Sequence, residues 1–376
     1  MTIRVCILQP IVPHYRVPVF SLLARQPGID LEVWACLRGS FGSIQGVSRS
    51  DTFALRHAFY AERFGMVLQP SAVRAVRSGF DAVMITDNVR SPAMFAALAC
   101  RRCPVIIWGH GFGTHHDRIG HRLRMLSFRS ADAGLFYGPR GRERFVSAGI
   151  DPDKLFVAPN AIDQSPIAGA REHWSQGNTL ASFRREQGID GARVMLFLSR
   201  LEPEKLPMMA VDALLRLRAD IPGLRLIFIG DGSERPAIER RIRDEGLEGT
   251  VRMVGALYED SAIAPWAMSA ELLIHPGALG LSIFHAFGYG LPVVTSDSAA
   301  IQMPEAECLE HGRNGLAYRN GSLDDLVACC ARVLSDRTMR ASLSEGAIQT
   351  VTGSSGRNLP AMVQGFVDAI RFVASR

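Results

Sequence analysis

What most constrains this chain is a recurring series of short apolar runs separated by stretches of helical length. The runs lie at residues 4–8, 31–35, 82–85, 105–108, 133–136 and 155–157, each rich in β-branched or aliphatic side chains. A strand that is apolar on both faces cannot keep one face wet. Such runs therefore belong to a parallel sheet covered by helices on both sides. Pro10 and Pro13 mark a turn after the first run, and a helix is expected near 17–25. The polar stretch 164–188 breaks the series, which then restarts with strands at 194–198, 225–229, 251–254, 272–275 and 292–295. Helices are expected near 208–218, 235–245, 281–289, 323–334 and 359–372. The fold class is thus α/β, with two doubly wound parallel sheets. The expected division is a first domain over 1–163, a connection over 164–190, a second domain over 191–356, and a C-terminal helix over 357–376 returning to the first. Two such sheets imply a cleft lined by the loops after Leu8, Trp108, Leu198, Ile229, Val254 and His275, because ligands collect beyond the carboxyl ends of parallel strands.

Composition narrows the function. Hydrophobic residues make up 47% of the 376 and charged residues 21%, which suits two packed cores and excludes a disordered or fibrous chain. The formal charge is +5 and is carried almost wholly by arginine, the only lysines being Lys154 and Lys205. A mild positive excess favours anionic partners such as sugar nucleotides, lipid phosphates or an acidic membrane face. No RNP-like, zinc-finger or basic-zipper pattern is present, so nucleic acid is not expected as a partner. Seven cysteines, an odd number scattered through apolar segments, suit reduced thiols in a cytoplasmic protein. Cys100 and Cys103 form a C-x-x-C, but no second pair follows at zinc spacing. No apolar run reaches spanning length, so a soluble or peripheral protein is expected.

Two segments carry chemistry. In residues 275–297 a strand ends at His275, Gly277 and Gly280 shape a loop, and a helix begins near Leu281. Glycines allow close backbone approach, and a helix start offers unpaired N–H groups to a diphosphate. In residues 196–215 a strand ends at Leu198, and Arg200 and Lys205 follow at the helix entry. Two fixed cations there can neutralise a departing pyrophosphate. Taken alone, an ordinary strand-to-helix turn and a surface cation pair balanced by Glu202 and Glu204 fit as well.

Together these segments resemble the retaining glycosyltransferases of family 4 on the GT-B fold. Ser199–Leu206 stands where that family has G-R-L-x-x-E-K-G, and Gly230-Asp231-Gly232 where it has G-x-G. Val251–Gly255 matches V-x-F-x-G, Glu271 to Pro276 matches D-x-x-x-x-P, and Ala286 to Val293 matches A-x-x-x-G-x-P-V. Asn160 to Asp163 is similar to the P-N-G-I-D that closes the first domain. The ordered match runs from about Leu155 to Asp325. It implies that Arg200 and Lys205 hold the donor diphosphate, that the backbone at Gly255 and Ala256 holds the base, and that Gly277, Ala278, Leu279, Gly280, Leu281 and Ser282 contact sugar and phosphates. The glutamates of the family's E-x7-E fall on Gly277 and His285, so the first contact is absent and an imidazole takes the place of the ribose-binding carboxylate. His285 as a core residue is the other reading.

In the first half, His110 lies between Gly109 and Gly111 just beyond a strand. The resemblance implies a role for it in orienting donor hydroxyls. His14 and Arg16 on the opening loop, and Asp87 and Asn88 after the strand ending at Ile85, are candidate acceptor contacts. His115, His116 and Asp117 lack the carboxylate spacing of a metal site. Residues 118–129 place cations around an apolar stripe that fits an anionic membrane or the protein core equally.

The resemblance therefore implies a retaining transferase of EC class 2.4. It would move a sugar from a nucleoside-diphosphate sugar to a glycan or lipid-linked acceptor, without a metal cofactor, in bacterial surface polysaccharide or lipopolysaccharide synthesis at the inner face of the cytoplasmic membrane. The departing phosphate would take the acceptor proton. A nucleotide-sugar epimerase and a non-catalytic sugar-nucleotide-binding subunit share the same architecture.

Overall fold

The computed structural model describes residues 2–37, 40–41, 44–111, 118–353 and 356–376. It divides into two compact units, residues 1–163 with 358–376, and residues 164–357.

The first unit contains β1 (Ile3–Leu8), β2 (Ile29–Ala35), β3 (Ser40–Phe41), β4 (Ile44–Gln45), β5 (Ala54–His57), β6 (Ala61–Arg63), β7 (Met66–Leu68), β8 (Ala82–Thr86), β9 (Val105–Gly109), β10 (Ala133–Phe136) and β11 (Leu155–Val157). Seven of these form one sheet in the order β11-β10-β9-β8-β1-β2-β5, and β3-β4 and β6-β7 form separate pairs. Neighbours in the large sheet run parallel, Val5 facing Leu31 on one side and Ala82 on the other. Both faces are covered. Val5 and Ile7 pack towards Phe20 and Phe366 on one side, while Cys6 and Leu8 pack towards Val76 and Phe80 on the other. The alternation of β1 between two dry cores explains why its sequence is apolar throughout.

The final helix, Leu359–Ala374, belongs to this unit. Asn358 caps it, its Oδ1 accepting from Ala361 N at 2.9 Å. Met362, Phe366, Ile370 and Val373 are buried, and the Phe366 ring meets Trp108 edge-on at 4.7 Å. Gly365 is where the helix touches the sheet, since a Cβ there would lie 2.2 Å from Val157 O.

The second unit holds β12 (Arg193–Leu198), β13 (Leu224–Ile229), β14 (Val251–Gly255), β15 (Leu272–His275), β16 (Val293–Ser296) and β17 (Gly315–Tyr318), all parallel in the order β14-β13-β12-β15-β16-β17. The chain runs outward from β12 through β13 to β14, then returns to the far side of β12 as β15. The loops after β12 and β15 therefore flank the topological switch point, where ligands of doubly wound sheets bind.

Residues 164–190 are not a connection. They form helices Ser165–Ser175 and Thr179–Glu186, packed within the second unit. Gln164 Nε2 donates to Phe284 O at 3.3 Å, Arg171 Nη1 to Gly288 O at 3.0 Å, and Trp174 Nε1 to Ser261 O at 3.2 Å. The Phe183 ring meets Trp174 at 5.5 Å and Trp266 at 4.8 Å. A few large apolar anchors, Ile167, Trp174 and Phe183, fix helices whose remaining residues are mostly small or polar, so the composition reads as linker. Among the described residues no helix is long and apolar enough to cross a membrane. All seven cysteines are free, and burial pushes the Cys103 thiol up to about 11, which suits an inert side chain rather than a redox pair.

Gly365→Ala is expected to destabilise the protein by about 1–3 kcal/mol through overpacking against Val157. Urea unfolding measures this, and an unchanged midpoint contradicts the docking of the final helix.

Candidate functional site

In the second unit, β12 ends at Leu198 and the loop turns through the 3₁₀ segment Pro203–Lys205. The turn ends on Leu206 at φ 52°, ψ 47°, and Pro207 then opens the helix Pro207–Leu217. Leu206 stands where the resemblance has glycine. Among the described residues it is one of two non-glycine residues at positive φ. The left-handed backbone at an L-residue costs about 1–2 kcal/mol.

The loop after β15 is tied to this turn at three points. Gly277 N donates to Lys205 O at 3.2 Å, Ala278 N donates to Glu204 O at 2.8 Å, and Lys205 Nζ donates to Ala278 O at 2.6 Å. The approach is so close that a Cβ on Gly277 would lie 2.3 Å from Glu204 O, so a glutamate cannot replace this glycine without moving the turn. Leu279 N donates to the buried Gln302 Oε1 at 2.8 Å, and Gln302 Nε2 donates to Thr295 Oγ1 and Ser296 O, both at 3.0 Å. Tyr318 OH donates to Pro276 O at 2.9 Å.

These contacts correct the expected grouping of the loop. Gly277, Ala278 and Leu279 spend their N–H groups on the scaffold. Those of Gly280, Leu281 and Ser282 meet no protein acceptor among the described residues, and all three residues are partly exposed. The helix Ser282–Gly288 begins there. The buried Lys205 ammonium is held on Ala278 O, at the start of this row of open donors. Burial lowers its pKa, the Glu204 carboxylate opposes that, and Arg200 adds to it. Arg200 departs from the expected convergence: its side chain is 52% exposed, with Nη2 3.8 Å from Glu204. A surface cation in that geometry adds little fixed charge.

Two glycines bring a third loop alongside. A Cβ on Gly230 would strike Ser199 O at 1.8 Å, and one on Gly232 would meet Leu201 O at 2.4 Å, so the G-x-G lies directly against the Ser199–Leu201 backbone. Gly255 ends β14 at φ 93°, and its O accepts from Gly230 N at 2.9 Å, while Ala256 beside it is exposed. His285 is neither bare nor wholly core. Its Nδ1 lies 3.1 Å from Asp260 Oδ1, which also accepts from Tyr289 OH at 3.2 Å. The Asp260 carboxylate accepts from Nδ1–H, and in that tautomer of the imidazole Nε2 is a hydrogen-bond acceptor. His275, fully buried and stacked on Phe197 at 5.3 Å, has its pKa lowered to about 3 by burial and by Lys205.

In the first unit, β1 and β8 flank the corresponding switch point. His110 follows β9. Gly109 is required because a Cβ would meet Asp87 Cβ at 2.5 Å, and Gly111, at φ 75°, because a Cβ would meet Phe136 at 2.9 Å. The His110 ring lies 4.8 Å from that of Tyr137. Burial first, then Arg16 and Arg124, lowers its pKa to about 4, so the imidazole is neutral near pH 7. Asp87 is paired through one oxygen, while its buried Oδ1 meets no partner among the described residues. Its buried carboxylate accepts from Arg124 Nε at 2.7 Å and anchors the helix Arg118–Ser130, and burial raises its pKa. Asn88 Oδ1 closes a turn by accepting from Arg90 N at 3.0 Å. His14 is exposed and Arg16 is buried. On Arg118–Ser130, Met125 and Phe128 enter the core while Ile119 and Leu126 are exposed. His115, His116 and Asp117 lie outside the described residues. No group of three metal-ligating side chains occurs among the described residues.

The sequence pointed to Lys205, the loop after β15 and His110. It gave no sign of Gln302, Asp260 or Tyr318, which act through contacts between residues far apart in the chain.

Leu206→Gly is expected to be more stable than Leu206→Ala by about 1 kcal/mol, since both lose the side chain and only glycine relieves the left-handed backbone. Equal urea midpoints for the two variants contradict a strained turn.

Residues 192–336 match the family model described as glycosyl transferases group 1. An exopolysaccharide phosphotransferase of Streptomyces coelicolor is 29% identical over 279 residues, covering 73% of this chain and 27% of that protein. A GDP-mannose-dependent alpha-(1-6)-phosphatidylinositol monomannoside mannosyltransferase of Mycobacterium tuberculosis is 25% identical over 250 residues, covering 62% of this chain and 59% of that protein. The chain thus spans about a quarter and three-fifths of these relatives. Among solved structures, Anabaena HepE in complex with UDP superposes with a TM-score of 0.76 at 18% identity, covering 99% of this chain and 100% of that one. The architecture is GT-B, and residues 192–336 are similar to the group 1 glycosyltransferases.

Proposed function

We propose that the protein transfers a sugar from a nucleoside-diphosphate sugar to a glycan or lipid-linked acceptor with retention of anomeric configuration. The observation that carries this reading is the buried Lys205 ammonium fixed on Ala278 O, beside the open N–H groups of Gly280, Leu281 and Ser282 at the switch point. A rigid cation and a row of backbone donors form a site for a diphosphate, and they need no reorganisation as its charge grows.

In this reading the bond from the anomeric carbon to the leaving phosphate oxygen breaks, and the acceptor oxygen bonds to that carbon on the same face. The acceptor proton passes to the departing phosphate. Lys205 and the open donors stabilise the leaving group, with Arg200 a weaker, solvent-screened contributor. His285, oriented by Asp260, accepts from a ribose hydroxyl where the family has glutamate. Gly255 and Ala256 receive the base. His110, held neutral by burial, serves as a hydrogen-bonding group for sugar hydroxyls and not as a general acid. Fixed protein charge takes the part of a divalent ion. The exposed Ile119 and Leu126 among the arginines of Arg118–Ser130 suit peripheral contact with an anionic bilayer presenting the acceptor. By likeness to its relatives, bacterial surface polysaccharide synthesis is the setting.

Lys205→Ala is expected to lower kcat/KM about 10²–10³-fold, and Arg200→Ala about tenfold or less. Because burial lowers the Lys205 pKa, the ammonium is lost at a lower pH than for an ordinary lysine. The kcat/KM profile should therefore fall as pH rises through that value, and Lys205→Arg should abolish this alkaline limb. Wild-type rates in Lys205→Ala contradict the assignment.

Donor sugar nucleotides incubated with EDTA and a glycan acceptor should be consumed at the full rate. Donor alone should give no isomerised sugar nucleotide. Strict Mg²⁺ dependence removes the metal-free reading, and isomerised donor without acceptor replaces transfer with epimerisation.

A further inference from the structure

We infer that the carboxyl edge of the first unit's sheet carries an oxyanion-binding subsite built on Arg16, and that the acceptor taken there bears a carboxylate or phosphate group. The acceptor identification rests on the transferase reading above, whereas the oxyanion subsite does not.

Arg16 ends the 3₁₀ turn His14–Arg16 that follows β1 and Pro13, so the switch-point loop of this unit delivers it to the sheet edge. Its residue is 4% exposed. The guanidinium lies against three aromatic rings, 5.4 Å from Tyr15, 5.5 Å from Trp108 and 5.1 Å from Tyr137. Its side-chain hydrogen bond runs from Nη1 to Met362 Sδ at 3.3 Å, a weak acceptor. Among the described residues no carboxylate comes within ion-pair distance of it.

This is an unusual state for a buried cation. A guanidinium removed from water is costly unless an anion and hydrogen-bond acceptors meet it. Ring faces offset part of that cost, but they are poor hydrogen-bond acceptors for the guanidinium N–H groups. The neighbouring Arg124 shows the usual solution, with its Nε 2.7 Å from the buried Asp87 carboxylate. Arg16 has no such partner among the described residues. A further donor, the buried Nε1 of Trp108, also meets no protein acceptor and belongs to one of the three rings.

The surroundings do not cancel the charge. His110 lies against Tyr137 and is neutral, held so by burial and by Arg16 itself. Asp87 is already matched by Arg124. Among the described residues the spot therefore keeps a net positive charge, a forked donor and aromatic walls. That combination binds a planar carboxylate or a phosphate bidentately and stacks a sugar ring against the aromatic faces. Lysine in place of Arg16 would supply charge without the fork.

Calorimetry on the full chain at low salt tests this, with glucuronate, inorganic phosphate, glucose and UDP as probes. Wild type should bind glucuronate at least tenfold tighter than glucose. Arg16→Met should lose that preference, and Arg16→Lys should keep only part of it. Equal affinity for glucuronate and glucose in wild type, or an undiminished preference in Arg16→Met, overturns the subsite. If Arg16→Met fails to fold, a full preference in Arg16→Lys overturns the forked recognition. Saturating UDP separates the two sources of oxyanion. Glucuronate and phosphate that still bind support an acceptor group, whereas displacement by UDP assigns Arg16 to the donor and overturns the acceptor claim. Absence of UDP binding defeats the transferase reading while leaving the glucuronate comparison intact.

Discussion

The second unit depends on a backbone contact between two loops distant in sequence. Gly277 and Ala278 donate to the carbonyls of Lys205 and Glu204, and the Lys205 ammonium returns a bond to Ala278 O. Much else follows from this contact. It needs glycine at 277, it holds the Lys205 ammonium, and it lies beside the turn that leaves Leu206 left-handed. It also uses the first N–H groups of the loop and leaves the next three open. The anion site is thus the part of the loop that remains after the scaffold has been satisfied.

The absence of a glutamate at 277 has a steric cause. In the resembling family an acidic residue follows this loop's proline, but here the loop is pressed onto the Lys205 turn. A side chain at 277 would have to displace backbone, not a flexible neighbour. The second replacement is chemically milder. Asp260, itself held by Tyr289, takes one nitrogen of His285 and leaves the other as an acceptor. A hydroxyl that would have bonded to a carboxylate can bond there, without the negative charge.

The first unit handles buried charge in two ways at one sheet edge. Arg124 and Asp87 neutralise each other and anchor a helix that also exposes Ile119 and Leu126. Arg16, surrounded by rings, keeps its charge and lowers the proton affinity of His110. Arg124, partly exposed, acts as scaffold, whereas the buried Arg16 retains the capacity to recognise an anion.

Short apolar runs at 4–8, 105–108, 194–198 and 272–275 fixed where strands lie, because a doubly covered parallel strand has no polar face to interrupt it. Glycines, Lys205 and the helix start near 281 marked the loops of the second unit. Three things were not legible. Residues 164–190 read as linker because three apolar anchors are too few to outweigh a polar composition. The pairing of Asp87 with Arg124 carried no local signal, because Arg124 lies 37 residues away. Gln302, Asp260 and Tyr318 carried no local signal, since each acts by a side chain reaching a backbone or ring supplied by another element. Local chemistry along the chain determined the strands, the turns and the candidate cations. Only tertiary packing decided which N–H groups and charges are consumed by the scaffold and which remain for a ligand, because that depends on distances between residues the sequence does not bring together.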